Sequence, residues 1–359
     1  MDGAQPTIVV TGVAGNLGLR LLAQLKDFTV IGVDLAAPRN TQLQRFVEMD
    51  LGLESSCQAL IHLFLETNPV AVVHLAFVID PVRTGVLDVD RMWQINVAGT
   101  ARVMEAIAEV NRGREDGIRQ FIFPSSVSAY GPDFPEIATE ESALRAHTLP
   151  YAIHKKESDE VVRFRAPSLG QCSTVILRPH IFAGASVQNY LMGAFRGTPN
   201  GRSARAAKLR ERGVRLPCMF PIGRRYLDNQ IQFIHVDDMA RLIAWLLRRR
   251  GDTGPATKNG VGQLTVLNVA ARGEPMTFRE CIEIAQAKVI RVPGKAAMRA
   301  VLQLMWRLGI SAIPPDAMPY MTGQYIMNTD RLRKMLGSDY ERVLTHTSRE
   351  AFADSFSDS

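Results

Sequence analysis

Thr7-Ile-Val-Val-Thr-Gly12-Val-Ala-Gly15-Asn-Leu-Gly18 decides how the rest of this chain is read. Its first five residues are a continuous apolar, β-branched run, the pattern of a strand buried on both faces. Gly-x-x-Gly-x-x-Gly follows at once, and an apolar helical pattern continues through Leu25. Strand, glycine turn and helix in that order build a phosphate site. Glycines let the backbone approach a pyrophosphate, and the helix N-terminus supplies unpaired N–H groups and a favourable dipole. A lone glycine triplet is more often a plain turn; the strand before it and the helix after it favour dinucleotide binding. Gly12, Gly15, Asn16, Leu17 and Gly18 are the candidate contacts.

Outward from this turn, the strand Thr29 to Asp34 ends in an acid at about the ~20-residue offset where a carboxylate accepts ribose hydroxyls. Asp34 therefore predicts NAD over NADP, with Arg39 close enough to weaken the discrimination. Further strands are expected at Arg45 to Glu48, Ala71 to Ala76, Phe121 to Ser126 and near Thr174, ending at Arg178-Pro179. Strands alternating with helices imply an α/β fold around a doubly wound parallel sheet. Between Ser125 and Lys155 lies the chemistry-bearing stretch: Ser125-Ser126, Tyr130-Gly131 and Tyr151-Ala-Ile-His-Lys155. Tyr151 and Lys155 stand one turn apart on a helix face, so phenol and ammonium can share a site. A free tyrosine titrates near ~10, and a cationic neighbour is expected to lower it into the working range.

A glycine turn, then Ser126, then Tyr151 and Lys155 resembles the extended short-chain dehydrogenase/reductase family, the NAD-dependent epimerases and dehydratases, with a Rossmann-type fold. Asn96-Val-Ala-Gly99-Thr100 resembles its Asn-x-x-Gly-Thr, and His235-Val-Asp-Asp238 a recurrent landmark. The resemblance covers the chain to about Gln286. It implies catalysis by Ser126, Tyr151 and Lys155, and cofactor contacts from Asp50, Leu51, Leu75, Ala76, Asn96 and Pro179 besides the glycine turn, Asp34, Tyr151 and Lys155. His74 matches a structural strand histidine. Residues 1–179, with 232–250 and about 264–286 returning to them, are expected to form the NAD-binding domain. Residues 180–231 and 251–359 would then form a smaller substrate domain.

The chemistry implied is hydride transfer between NAD and a secondary alcohol or ketone, with UDP-sugar 4-epimerisation as the alternative. A non-catalytic NAD-binding regulatory or assembly protein is a second alternative; such relatives usually lack the tyrosine or lysine. Dehydration is disfavoured because Val127 and Ser128 stand where dehydratases carry an Asp-Glu pair. Two phosphate-contacting positions of UDP-sugar enzymes are Ile181 and Ile231 here, which favours a greasier substrate.

The 359 residues are 46% hydrophobic and 22% charged, ample for a large core. Four scattered cysteines suit free thiols, no apolar run is long enough to span a bilayer, and the expected setting is cytoplasmic. No histidine pair at ligand spacing supports a metal, and no Gly-x-Ser-x-Gly elbow supports a hydrolase. The net charge of +6 is local: Arg196 to Arg225 holds nine basic residues against Glu211, so that segment nets +8 and the remainder −2. A solvated loop is the plain expectation for it; capture of an anionic substrate, acidic partner or membrane surface is the functional one. No nucleic-acid partner is expected, and a homodimer is compatible. Ala296 to Ile313 reads as an amphipathic helix, with Val301, Leu302, Met305 and Trp306 on one stripe; a core helix or the lip of a substrate cleft is favoured over contact with a membrane surface.

Overall fold

A computed structural model describes residues 5–39, 43–79, 88–114, 116–134, 136–223, 225–249 and 262–357. Arg224 of the basic segment, and Arg250 and Gly251 beyond the helix that the sequence opens at His235-Val-Asp-Asp238, lie outside the described residues.

Seven strands form one parallel sheet: β1 (Thr7–Thr11), β2 (Thr29–Asp34), β3 (Arg45–Glu48), β4 (Ala71–His74), β5 (Gln120–Pro124), β6 (Ser173–Pro179) and β11 (Leu264–Val269). Their order is β11-β6-β5-β4-β1-β2-β3. The direction of winding reverses between β1 and β4, and open α/β sheets bind ligands in the crevice beyond the strand ends at that point. The central strands β1, β4 and β5 are nearly wholly buried, because helices cover both faces. On one face α2 (Ser55–Thr67), α3 (Gly99–Asn111) and α4 (Pro150–Arg165) pack on Val72, Phe121 and Ile176. On the other, α1 (Asn16–Leu22) and α7 (Val236–Arg248) pack on Val10, Val73 and Leu177.

Leu332, Leu336, Val343 and Leu344 pack into this same sheet core, while most of the other later elements share a separate apolar core, the second lobe, which also takes in Met276, Phe278 and Cys281. It contains β7 (Ile181–Ala183), α5 (Tyr190–Arg196), α6 (Ala204–Glu211), β8 (Cys218–Pro221), β9 (Gln230–Ile231) and β10 (Phe233–His235). It continues with β12 (Met276–Thr277), α8 (Phe278–Ala285), β13 (Val289–Val292), α9 (Gly294–Arg307) and α10 (Ser348–Asp354). Three short pairs stitch it together: β7 with β10, β9 with β12, and β8 with β13. The expected solvated loop is in part helical, since α6 occupies the middle of the basic segment behind a Ser203 cap. On α9, Leu302 is buried but Val301 is 37% exposed, so Val301 does not share the inward stripe. At 100° per residue it falls instead with Leu304 and Leu308.

Candidate active site

The glycine turn is shaped by what lies directly beneath it. Gly12 has φ +72°, and a Cβ there would stand 2.4 Å from the Ala76 amide nitrogen. A Cβ on Gly18 would meet the Val13 carbonyl oxygen at 2.5 Å. These two glycines are demanded by packing of turn, helix and β4. Gly15 differs: only the Gly12 carbonyl oxygen, at 3.2 Å, would be near its Cβ. It caps α1 with no side-chain hydrogen bond, and the first turn carries no acid. The space outside Gly15 and the amides behind it are thus left to an anion, which fits a pyrophosphate. Leu17 packs between the two large cores, and Asn16 donates to the Ser186 carbonyl and hydroxyl, joining the turn to the second lobe.

Asp34 ends β2 at the rim of this turn. Its Oδ2 accepts from the Ala14 amide at 2.9 Å and its Oδ1 from the Leu35 amide at 2.7 Å. Asp50 accepts from the Gly52 amide and pairs with Arg91, so an adenine-edge role would share its carboxylate with that cation. Leu51 is buried under α3; Leu75 and Ala76 form the floor against Gly12; Pro179 ends β6 in register with Val269.

Asn96 lies in a π turn, Gln94–Ala98, leading into α3. Its Oδ1 accepts from the Val78 amide at 2.7 Å and its Nδ2 donates to the Val78 carbonyl at 3.1 Å. That pair clamps the chain beyond β4 beside Tyr151. His74 is structural. Thr100 commits its hydroxyl proton to the Asn96 carbonyl, so His74 Nε2 donates to Thr100 and Nδ1 accepts from Thr11. Burial, aided by nearby Lys155, holds its imidazole down at about 3.

Ser126 follows β5, and Pro150 at the start of α4 sets Tyr151 on the first turn. The Ser126 hydroxyl accepts from the Ser128 amide at 3.1 Å and lies near enough to the Tyr151 phenol to favour its ionised form. Ser125, also buried, has no such partner among the described residues, which separates the two adjacent serines. Lys155 is buried with its Nζ 3.6 Å from the Phe77 ring centroid, donating to the Pro124 carbonyl at 2.7 Å. The expected lowering of Tyr151 by this cation is not among the influences on the phenol. Burial pushes the phenol up, with only the Ser126 hydrogen bond pulling it back. The same burial lowers the Lys155 ammonium to about 7, opposed by Asp159 one turn further along α4. Phe77 and Asp159 escaped sequence reasoning: an aromatic after a strand and an acid within a charged helix carry no signature of their own.

Of the two isoleucines weighed as substrate contacts, Ile181 packs half-buried against the core that also receives Tyr151. Ile231 is 0% exposed and pairs with Met276, so it belongs to the core and not to a cleft wall. Leu191, Phe195, Met219, Met298, Leu302 and Ile313 line an apolar cavity of about 60 Å³ in the second lobe. His346, distant in sequence, comes together with His235 and Asp238. Their rings stack at 3.9 Å, so the in-plane lone pairs run side by side and do not converge, and Asp238 is occupied by Arg241, Thr345 and the His346 amide. This cluster ties α7 to the C-terminal segment.

A parallel sheet with an open glycine turn at its switch point, and Ser, Tyr and Lys converging beside it, defines a dinucleotide-dependent enzyme of the short-chain dehydrogenase type. Residues 8–262 match the NAD dependent epimerase/dehydratase family, and the chain belongs to it. A UDP-glucose 4-epimerase from Azospirillum brasilense is 26% identical over 304 residues, 77% of this chain and 81% of that one. A UDP-glucose 4-epimerase from Erwinia amylovora is 30% identical over 207 residues, 54% of this chain and 58% of the relative's length. A UDP-glucuronic acid 4-epimerase from Bacillus cereus, solved with NAD, shares the fold at a TM-score of 0.65 and 17% identity, over 98% of this chain and 97% of that chain.

Proposed function

We propose that this chain is an NAD-dependent oxidoreductase acting on a secondary alcohol or ketone, with Tyr151 as its acid/base. The observation that carries this reading is the placing of Tyr151 near Ser126, one helical turn from buried Lys155 and in one fold with the uncapped glycine turn. NAD, when bound, supplies the hydride acceptor or, reduced, the donor. Gly12, Gly15 and the first turn of α1 would hold its pyrophosphate, and Asp34 its ribose. Tyr151 gives a proton to the substrate oxygen or takes one from it, and Ser126 orients that oxygen. With its phenol held up by burial, Tyr151 rests as the acid, the form needed to protonate a reduced ketone. The test is turnover with NADH or NAD across a panel of ketones and alcohols; a panel without any Tyr151-dependent activity would overturn it.

The second reading, UDP-sugar 4-epimerisation, is favoured by the 26% identical relative that the chain covers to 81%. Ile181 speaks against it, because an apolar side chain there leaves a diphosphate short of a partner. Titration of the NAD-loaded protein with UDP and UDP-glucose separates the two. Saturable micromolar binding, with NAD retained through dialysis, puts the epimerase first. A cytoplasmic setting and a homodimer complete the proposal, the dimer tested by light scattering.

A further inference from the structure

We propose that the second lobe docks on an anionic membrane surface through the outer face of α9 and the neighbouring basic helix α6. Two features noted separately in the sequence meet here. Segments 196–225 and 286–315 together hold fourteen basic residues and a single acid, Glu211, a net +13 that leaves the remaining chain at −7. The fold packs these segments against each other. Strand β8 pairs with β13 in parallel, and at the other end Ser203 Oγ donates to the Gly309 carbonyl at 2.8 Å while the Gly201 amide donates to the Ile310 carbonyl at 2.9 Å. The N-terminus of α6 is thereby fastened to the turn that ends α9, and Arg205, Lys208 and Arg212, on and just after α6, are exposed.

Helix α9 carries three cations (Lys295, Arg299 and Arg307) and no acid. Met298 and Leu302 face inward, where they line the apolar cavity. Val301, Leu304 and Leu308 form a second stripe that is 37%, 58% and 36% exposed. Arg307 lies beside that stripe, whereas Arg299 stands on the opposite side of the helix and is paired with Asp316. An exposed aliphatic stripe with Arg307 at its side and a basic helix fastened to its end suits a helix lying in a membrane interface, its apolar face among the acyl chains and the cations at anionic headgroups. Charge alone would equally suit a polynucleotide, but aliphatic side chains gain nothing on a phosphate backbone. Among the described residues no helix is long and apolar enough to cross a membrane, so the contact proposed is peripheral.

The experiment is co-sedimentation of the full chain with vesicles of phosphatidylcholine containing 30% phosphatidylglycerol, and with phosphatidylcholine alone. Binding to the anionic vesicles should exceed binding to the neutral ones at least about tenfold, since each cation near such a surface contributes on the order of 1 kcal/mol. Leu304→Ser with Leu308→Ser, and separately Arg205→Glu with Lys208→Glu, should each weaken that binding about tenfold or more with unchanged melting temperature. Tyr151→Phe should bind as the parent does, so the result is independent of turnover. Equal binding to both vesicles, or no loss in the leucine variant, overturns the proposal. So does capture by heparin or RNA without vesicle binding. Conversion of a dimer to a monomer by the leucine variant would reassign the stripe to a self-interface.

Discussion

Tyr151 and Lys155 sit one turn apart, yet their protons answer to different surroundings. Their relation was legible as a spacing, but the sign of the phenol's shift was not. That sign depends on Phe77 and Val78, which close over the site and which only the fold brings there. Tyr151→Phe keeps the ring packed and removes the transferable proton. Turnover should fall by at least about 10²-fold while NAD affinity stays within a few-fold; comparable kcat in the variant would remove Tyr151 from its role. Lys155 yields a stability prediction. In the native site burial brings its pKa to about 7 from its ordinary 10.5. Between those values the unfolded chain binds the extra proton, so stability rises with pH through this window and is lost as pH falls through the native value. Tyr151, raised above its own ordinary range, acts in the opposite sense only at higher pH. The melting temperature of the wild type minus that of Lys155→Met should therefore climb between about pH 7 and 9.5. A flat difference would mean that Lys155 stays charged in the folded state. Asp34, fixed by two backbone amides, should confer a preference for NAD; Asp34→Ser should narrow the gap to NADP, measured as the ratio of the two kcat/KM values.

At the level of elements, strand–turn–helix periodicity carried most of the information, and the parallel sheet and its switch point follow from it. The π turn at Asn96 did not show, because one inserted residue shifts the helical phase without changing composition. Nor did the outward rotation of Val301, since an apolar residue reads alike whichever flank of the stripe it occupies. The glycine turn allows two roles to be told apart by one methyl group each. Gly12→Ala forces a left-handed residue into the Ala76 backbone, and should cost several kcal/mol, read as a lowered urea midpoint. Gly15→Ala suits the φ of −70° and asks only the Gly12 carbonyl oxygen, 3.2 Å from the new methyl, to yield slightly, so the fold should melt within about 2 °C of the parent. Its methyl would nevertheless stand where a pyrophosphate must approach, raising the NAD dissociation constant about tenfold or more. If calorimetry finds NAD binding untouched by Gly15→Ala, the pyrophosphate lies elsewhere.

Across the whole molecule, contacts distant in sequence decide what the motifs could not. The basic segment and the amphipathic helix were each visible, but their adjacency depends on the β8–β13 pair and the Ser203–Gly309 bond. The same holds for Arg178, read beforehand only as the end of a strand. It is fully buried, with Nε and Nη2 donating to the two oxygens of Asp159 at 2.9 and 2.8 Å. Its Nη1 donates to the Tyr130 hydroxyl and the Glu140 carbonyl. Tyr130 in turn donates to Asn268 on β11, and Asn268 donates to the carbonyls of Ala138 and Asn328. One guanidinium thus joins the sheet, helix α4 with Tyr151 and Lys155 on it, and the chain around Asn328. Removing it leaves Asp159 buried without a partner, which costs about 3–5 kcal/mol. Arg178→Met should therefore shift the urea midpoint far more than loss of an exposed pair such as Arg45–Glu66, worth about 0–1 kcal/mol. Adding Asp159→Leu to Arg178→Met removes the stranded charge, so the double variant should recover part of the loss. Additive losses would show that the two groups act independently, and the link between catalytic helix and sheet would have to be sought in the apolar core alone.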